Sequence, residues 1–229
     1  MINGLTEYEK YKVIRPIIGD CKYDKNDMPI IERTNTENFV WEDIEVVNFK
    51  NMKNSPNNQS KILTMFSYDK ELTRFWNNPL KKIPVMQTYA AVATPDFSFY
   101  PTMNTNEIRH NVYMSRWLGR TWQNYGVNVL PTIGWALPNT YDLCLGAVEK
   151  GSVVVISTLG CEQYQDAFLQ GFEEMKRRIE PPIIIVLGNM INGMTGTFLN
   201  FKYTDTFNNK FIQLKMKELS EPFTIKEVS

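Results

Sequence analysis

The sequence predicts an α/β protein built on a predominantly parallel sheet of about six strands in βα units. Two observations carry that reading. The runs "SVVVISTLG" (152–160) and "PIIIVLG" (182–188) are apolar at nearly every position, as strands buried on both faces are. Between such runs lie segments with apolar residues at helical spacing, long enough to serve as crossover helices. Hydrophobic residues make up 43% of the 229, enough to fill a sizeable core. The pattern leaves open whether the sheet stays flat-edged or curls into a partial or distorted (βα) barrel.

Residues 1–40 are rich in charge, Asn and Thr and read as an irregular N-terminal extension packed on the domain. Residues 41–229 then form a single α/β domain. "IEVVNF" (44–49) is a β-branched strand, followed by the polar loop "KNMKNSPNNQS". "KILTMFSY" (61–68) is the second strand, and "KELTRFWNN" a short helix that stops before Pro79. "VMQTYAAVATP" (85–95) is read as the third strand.

A helix is expected over 104–124, with Asn104 and Glu107 in capping-box spacing and Gly126 beyond its end. "VNVLPTIGW" (127–135) is the fourth strand, and "TYDLCLGAV" a short helical or turn segment. After the strand at 152–160, a helix over 162–179 carries Tyr164, Phe168, Phe172, Met175 and Ile179 on one stripe. The strand at 182–188 is followed by the glycine-bearing loop "NMINGMTGTF", then "FLNFKYT", a seventh candidate strand, and an amphipathic segment "NKFIQLKMKEL".

Twenty-five basic residues balance twenty-five acidic ones, which argues against a protein whose task is to coat nucleic acid. Arg109, Arg116 and Arg120 fall on one stripe of the helix at 104–124, read most simply as its solvated face. Cys21, Cys144 and Cys161 lack metal-site spacing and read as reduced thiols, and the lone His110 as a surface residue. The N-terminus has no signal-peptide core and no run approaches a bilayer span, so the expectation is a soluble, cytoplasmic protein with no membrane partner.

In parallel α/β folds ligands bind beyond the carboxyl ends of the strands, where the exit loops converge. At those ends stand Asp69, Asp96 and Ser98, Thr132 and Trp135, Ser157 and Thr158, and Asn189. Asp142 lies just beyond Trp135. Asp96 and Asp142 are the expected catalytic pair, Asp96 as general base or metal ligand. Trp135 would be a stacking wall and Ser157 an orienting hydroxyl. The expected ligand is a small polar molecule, a nucleotide or a sugar, and Mg²⁺ is the cofactor these carboxylates would suit. The bland reading of Asp96, after Pro95, is a turn or cap residue. The rival function is non-catalytic binding of a host protein through the loop aromatics Phe97, Phe99, Tyr100, Trp135 and Tyr141.

The blocks "TRFWNNPL", "ATPDFSFY", "NVYMSRWLGRTWQNYGVNVLPTIGW", "YDLCLGAVEKGSVVVISTLG" and "GFEEMKRRIEPPIIIVLG" closely resemble domain-of-unknown-function family 4417. That family occurs in bacteriophages and in Gram-positive bacteria and their mobile elements. The resemblance spans about residues 60–190 and implies a phage-type origin and an α/β domain, with no established reaction attached. Two departures from the family pattern fall at strand ends: "FSYD" offers only Asp69 after the second strand, and Gly134-Trp135 follows "PT".

Overall fold

The computed structural model describes residue 6, residues 15–17 and 19–203, and the backbone of a strand at Thr224–Val228. Seven strands run parallel to one another: β1 (Glu45–Asn48), β2 (Lys61–Thr64), β3 (Ala91–Ala93), β4 (Val129–Leu130), β5 (Val154–Ser157), β6 (Ile184–Leu187) and β7 (Gly196–Phe201). The first four form one sheet. The next three form another, extended by β8 (Thr224–Val228) antiparallel to β7. The two sheets meet where the chain leaves β4. There Thr132 bridges Val155, the Ile133 amide donates to the Val155 carbonyl at 2.8 Å, and the Val155 amide donates to the Pro131 carbonyl at 3.0 Å.

Side chains alternate across these strands, as the pleat requires. One set, including Val46, Ile62, Ala91, Ala93, Leu130, Val155, Ile185, Leu187, Leu199 and Phe201, forms a single cluster to which none of the described α-helices contributes. The alternate set is covered by helices. Val47, Leu63, Val92 and Val129 pack with α1 (Asp69–Asn77), α2 (Ile83–Met86) and α3 (Thr105–Asn124). Val154, Ile156, Ile184, Val186 and Phe198 pack with α3, α4 (Tyr141–Cys144) and α5 (Gln165–Ile179). With the described helices on the opposite face, the strands of the two sheets cover the face of the first set with one another. Among the described residues no pairing joins β1 to β8.

The third strand is shorter than the apolar run predicted. Residues 83–86 form a helical turn instead, with Pro84, which lacks an N–H, in the first turn where none is needed. The strand begins only at Ala91.

α3 starts with the expected capping box: the Asn104 side chain accepts from the Asn106 amide at 2.9 Å, and Glu107 accepts from the Asn104 amide at 2.8 Å. The expected basic stripe is corrected. Arg109 is exposed, but Arg116 and Arg120 are only 2% and 6% accessible. α3 lies across the outer faces of both sheets and beneath the N-terminal segment, so every residue from Met114 to Trp122 is buried. Arg116 donates to the carbonyls of Cys144 at 2.9 Å and of Thr132 and Gly146 at 3.2 Å each. Arg120 pairs with Glu32 at 2.7 Å and donates to the Asp20 carbonyl. Burial lowers the Arg116 pKa to about 10, which leaves it charged at neutral pH.

The predicted amphipathic segment "NKFIQLKMKEL" lies outside the described residues. Among those residues no helix is long and apolar enough to cross a membrane.

Candidate functional site

The exit loop of β3 is tied to its neighbours by a set of local hydrogen bonds. Thr94 is the hub beneath it. Its hydroxyl accepts from the Thr132 amide at 2.9 Å and from the Ser115 hydroxyl at 3.0 Å, while its carbonyl accepts from the Thr132 hydroxyl at 2.6 Å. All three side chains are buried, so the network locks the ends of β3 and β4 to α3. Gly119 permits the approach, since a Cβ there would stand 2.7 Å from a Thr94 methyl.

The Asp96 amide then donates to the Met65 carbonyl at 3.1 Å, which extends the ladder one step past β2. Phe97 is buried in the outer core. The amide and hydroxyl of Ser98 both donate to Asp69, at 3.1 Å, and its carbonyl accepts from Asn111 of α3 at 2.7 Å. Phe99 packs edge-on against Gly134, where a Cβ would come within 2.7 Å of the ring.

One group in this loop stays uncommitted. Among the described residues the Asp96 carboxyl makes no hydrogen bond and no ion pair. It lies half-buried on a cavity of about 920 Å³ at the carboxyl ends of the strands. Burial, and then the nearby charge of Asp69, raise its pKa from 3.8 to about 7.

The rest of the wall is largely aromatic. Phe66, Trp135, Phe168 and Tyr203 line the cavity with Phe97 and Phe99, and Tyr68 and Tyr100 stand at its rim. Trp135 meets Phe168 with ring centroids 5.0 Å apart and is seated over Gly171 of α5, where a Cβ would fall 2.2 Å from the indole. The Tyr203 hydroxyl donates to the Phe66 carbonyl at 3.3 Å, which ties the exit of β7 to the exit of β2 across the mouth. Asn48, fully buried, donates to that same carbonyl at 2.9 Å. Lys50 lies at the edge, paired with Glu71 at 2.6 Å. Cys161 also faces the cavity, and burial followed by the Asp96 charge raises its pKa, so it remains a thiol.

Of the residues singled out from sequence, the cavity brings together Asp69, Asp96, Ser98, Trp135 and Ser157. Asp142 is not among them. It stands outside, on α4, in ion pairs with Lys25 and with Arg178 (2.7 Å), which hold its pKa down to about 2. The carboxylate that accompanies Asp96 is Asp69. Thr132 is spent on Thr94, Thr158 donates to the Leu187 carbonyl at 3.4 Å, and Asn189 donates to Glu162 at 3.0 Å. Sequence reasoning missed Lys50, Phe66, Tyr68, Cys161, Phe168 and Tyr203 as wall residues. Phe66 and Tyr203 follow their strands by two residues, a position that could have marked them. Among the described residues no cluster of three or more His, Cys, Asp or Glu could hold a metal ion.

The family described as "Domain of unknown function (DUF4417)" matches residues 24–205, which include every residue of this cavity. The chain belongs to that family. Two phage proteins are similar to it across 131 residues, 56% of this chain. The "Gene 1 protein" of Mycobacterium phage D29 is 35% identical over 48% of its own length. The "Gene 1 protein" of Mycobacterium phage L5 is 34% identical over 57% of its length. The similarity thus spans about half of each relative. No solved structure matches the chain at a significant level. DUF4417 therefore supplies a phage association, and the chemistry has to be argued from the cavity itself.

Proposed function

We propose that the cavity at the strand ends binds a small polar ligand, a sugar or nucleotide in size and polarity, with Asp96 as its anchor. The observation that carries this reading is the Asp96 carboxyl itself, which lines the cavity with no hydrogen-bond or ion-pair partner among the described residues. A volume of about 920 Å³ suits such a ligand. Aromatic walls offer faces for a sugar ring or a base. A carboxyl with a pKa of about 7 can also take or give a proton at neutral pH, which is the property a hydrolase would use. Asp69, held by Ser98, positions the loop.

Thermal-shift screening of sugars and nucleosides against the protein and its Asp96→Asn variant tests the proposal. The expected outcome is stabilisation by a subset of compounds, lost in the variant while its far-UV circular dichroism is unchanged. Equal stabilisation of both proteins removes Asp96 from the site.

A second reading, docking of a host protein, is favoured by one observation. Tyr68, Tyr100 and Leu159 at the rim of the cavity are 76%, 59% and 51% exposed. On that reading, alanine at Tyr68 and Tyr100 together weakens a partner captured from host lysate at least tenfold, as a cluster of aromatic hot spots would. Undiminished capture by the double variant argues against it.

A further inference from the structure

We infer that the ligand of this cavity carries an organic cation, an ammonium group seated against Asp96 and flanked by aromatic rings, as in an amino sugar or a choline-like amine. The inference rests on the reading of the mouth as a small-molecule site and adds the sign of the ligand's charge.

Three independent features point to a cation. The first is the balance of charge. Among the described residues the cavity's ionisable charges are Asp69, Asp96 and Lys50, and Lys50 is already matched by Glu71 at 2.6 Å. A phosphate or carboxylate would enter against two carboxyl groups with no available cation to receive it. The second is the contrast between those carboxyls. Asp69 accepts both donors of Ser98, whereas Asp96 accepts none, so its ionised form lacks a counter-charge that a ligand would supply. The third is the wall. Trp135, Phe168, Phe99 and Tyr203 line the same space, and the negative faces of such rings attract ammonium groups.

The arrangement couples binding to pH. The titratable groups facing Asp96 are Asp69 from α1, Cys161 from the loop after β5 and Tyr203 beyond β7, with the Lys50–Glu71 pair at the rim. Burial and the charge of Asp96 raise both Cys161 and Tyr203, so each stays neutral near pH 7 and Asp96 is the group whose charge changes there. A cation binds the ionised carboxylate. Its affinity therefore rises with pH, and one proton leaves Asp96 on binding below its pKa.

Isothermal titration and tryptophan fluorescence with matched probes provide the test. Choline is compared with its uncharged isostere 3,3-dimethylbutanol, and glucosamine with glucose and glucose 1-phosphate, with a Trp135→Phe variant to assign the optical signal. The expected result is tighter binding of the cation in each set, with choline, whose charge is fixed, strengthening about tenfold from about pH 6 to pH 8 and that pH dependence lost in Asp96→Asn. Preference for glucose or glucose 1-phosphate, with a Trp135 response, overturns the cation inference and leaves the small-molecule site standing. No response to any probe from either ammonium compound also overturns it, and the absence of any response in the wider sugar and nucleoside screen overturns the site as well.

Discussion

Asp96 is held by its backbone and left unmatched at its side chain, and that combination has a measurable thermodynamic cost. Its pKa of about 7 in the folded protein lies above the 3.8 of an ordinary aspartate. Between those values the native state keeps a proton that the unfolded chain has released. The stability conferred by this group is therefore complete below about pH 4 and is lost as pH rises through about 7. Asp96→Asn abolishes this loss, so the variant is expected to be more stable than the parent at about pH 8 by on the order of 2–4 kcal/mol. The two should converge only below about pH 4, where the parent carboxyl is protonated in both the folded and the unfolded chain. Urea unfolding across that range measures the gap, and a gap that does not change with pH contradicts the assignment. Asp142 shows the opposite behaviour: paired with Lys25 and Arg178 on the surface, its charge is already satisfied, which is why it offers nothing to a ligand.

At the scale of elements, the site depends on helices approaching their neighbours closely enough to aim aromatic rings at the mouth. α5 achieves this through Gly171, whose missing Cβ leaves room for the Trp135 indole. Gly171→Ala would place a carbon 2.2 Å from that ring, so the indole has to move. The expected cost is about 1–3 kcal/mol from overpacking, offset in part by the better helix propensity of alanine. A shift in the Trp135 emission should accompany it, and an unchanged spectrum with unchanged stability would show that the ring is not seated there. Phe168, Phe172, Met175 and Ile179 on the same helix were legible as a stripe because each repeats at helical spacing and is buried. Tyr164, read as part of that stripe, precedes the helix and is 68% exposed. Arg116 and Arg120 were not legible as buried. Helical geometry puts them on one face, but only the path of the N-terminal segment and of the loop at 144–146 decides that this face is covered. Their acceptors, the carbonyls of Asp20, Cys144 and Gly146, are backbone groups that leave no mark in a sequence.

At the scale of the whole molecule, strands β1–β7 run parallel in sequence order in two sheets that share one inner cluster, with a cavity at their carboxyl ends. That architecture could be read from doubly apolar runs alternating with helical stripes, and a cavity lies at the strand ends. The membership of the site could not be read with equal success. Its wall draws on residues from Lys50 to Tyr203, and adjacent hydroxyls at a strand end face opposite ways: Ser157 reaches the cavity while Thr158 is buried against β6. On the function proposed above, this mouth holds a carboxyl kept ready for a ligand. The most direct test is a ¹³C NMR titration of the aspartate side chains, with Asp96 assigned by its absence in Asp96→Asn. A midpoint near 7 is expected for Asp96 in the protein alone, falling when an ammonium ligand is added. A midpoint near the ordinary aspartate value of about 4 would contradict it.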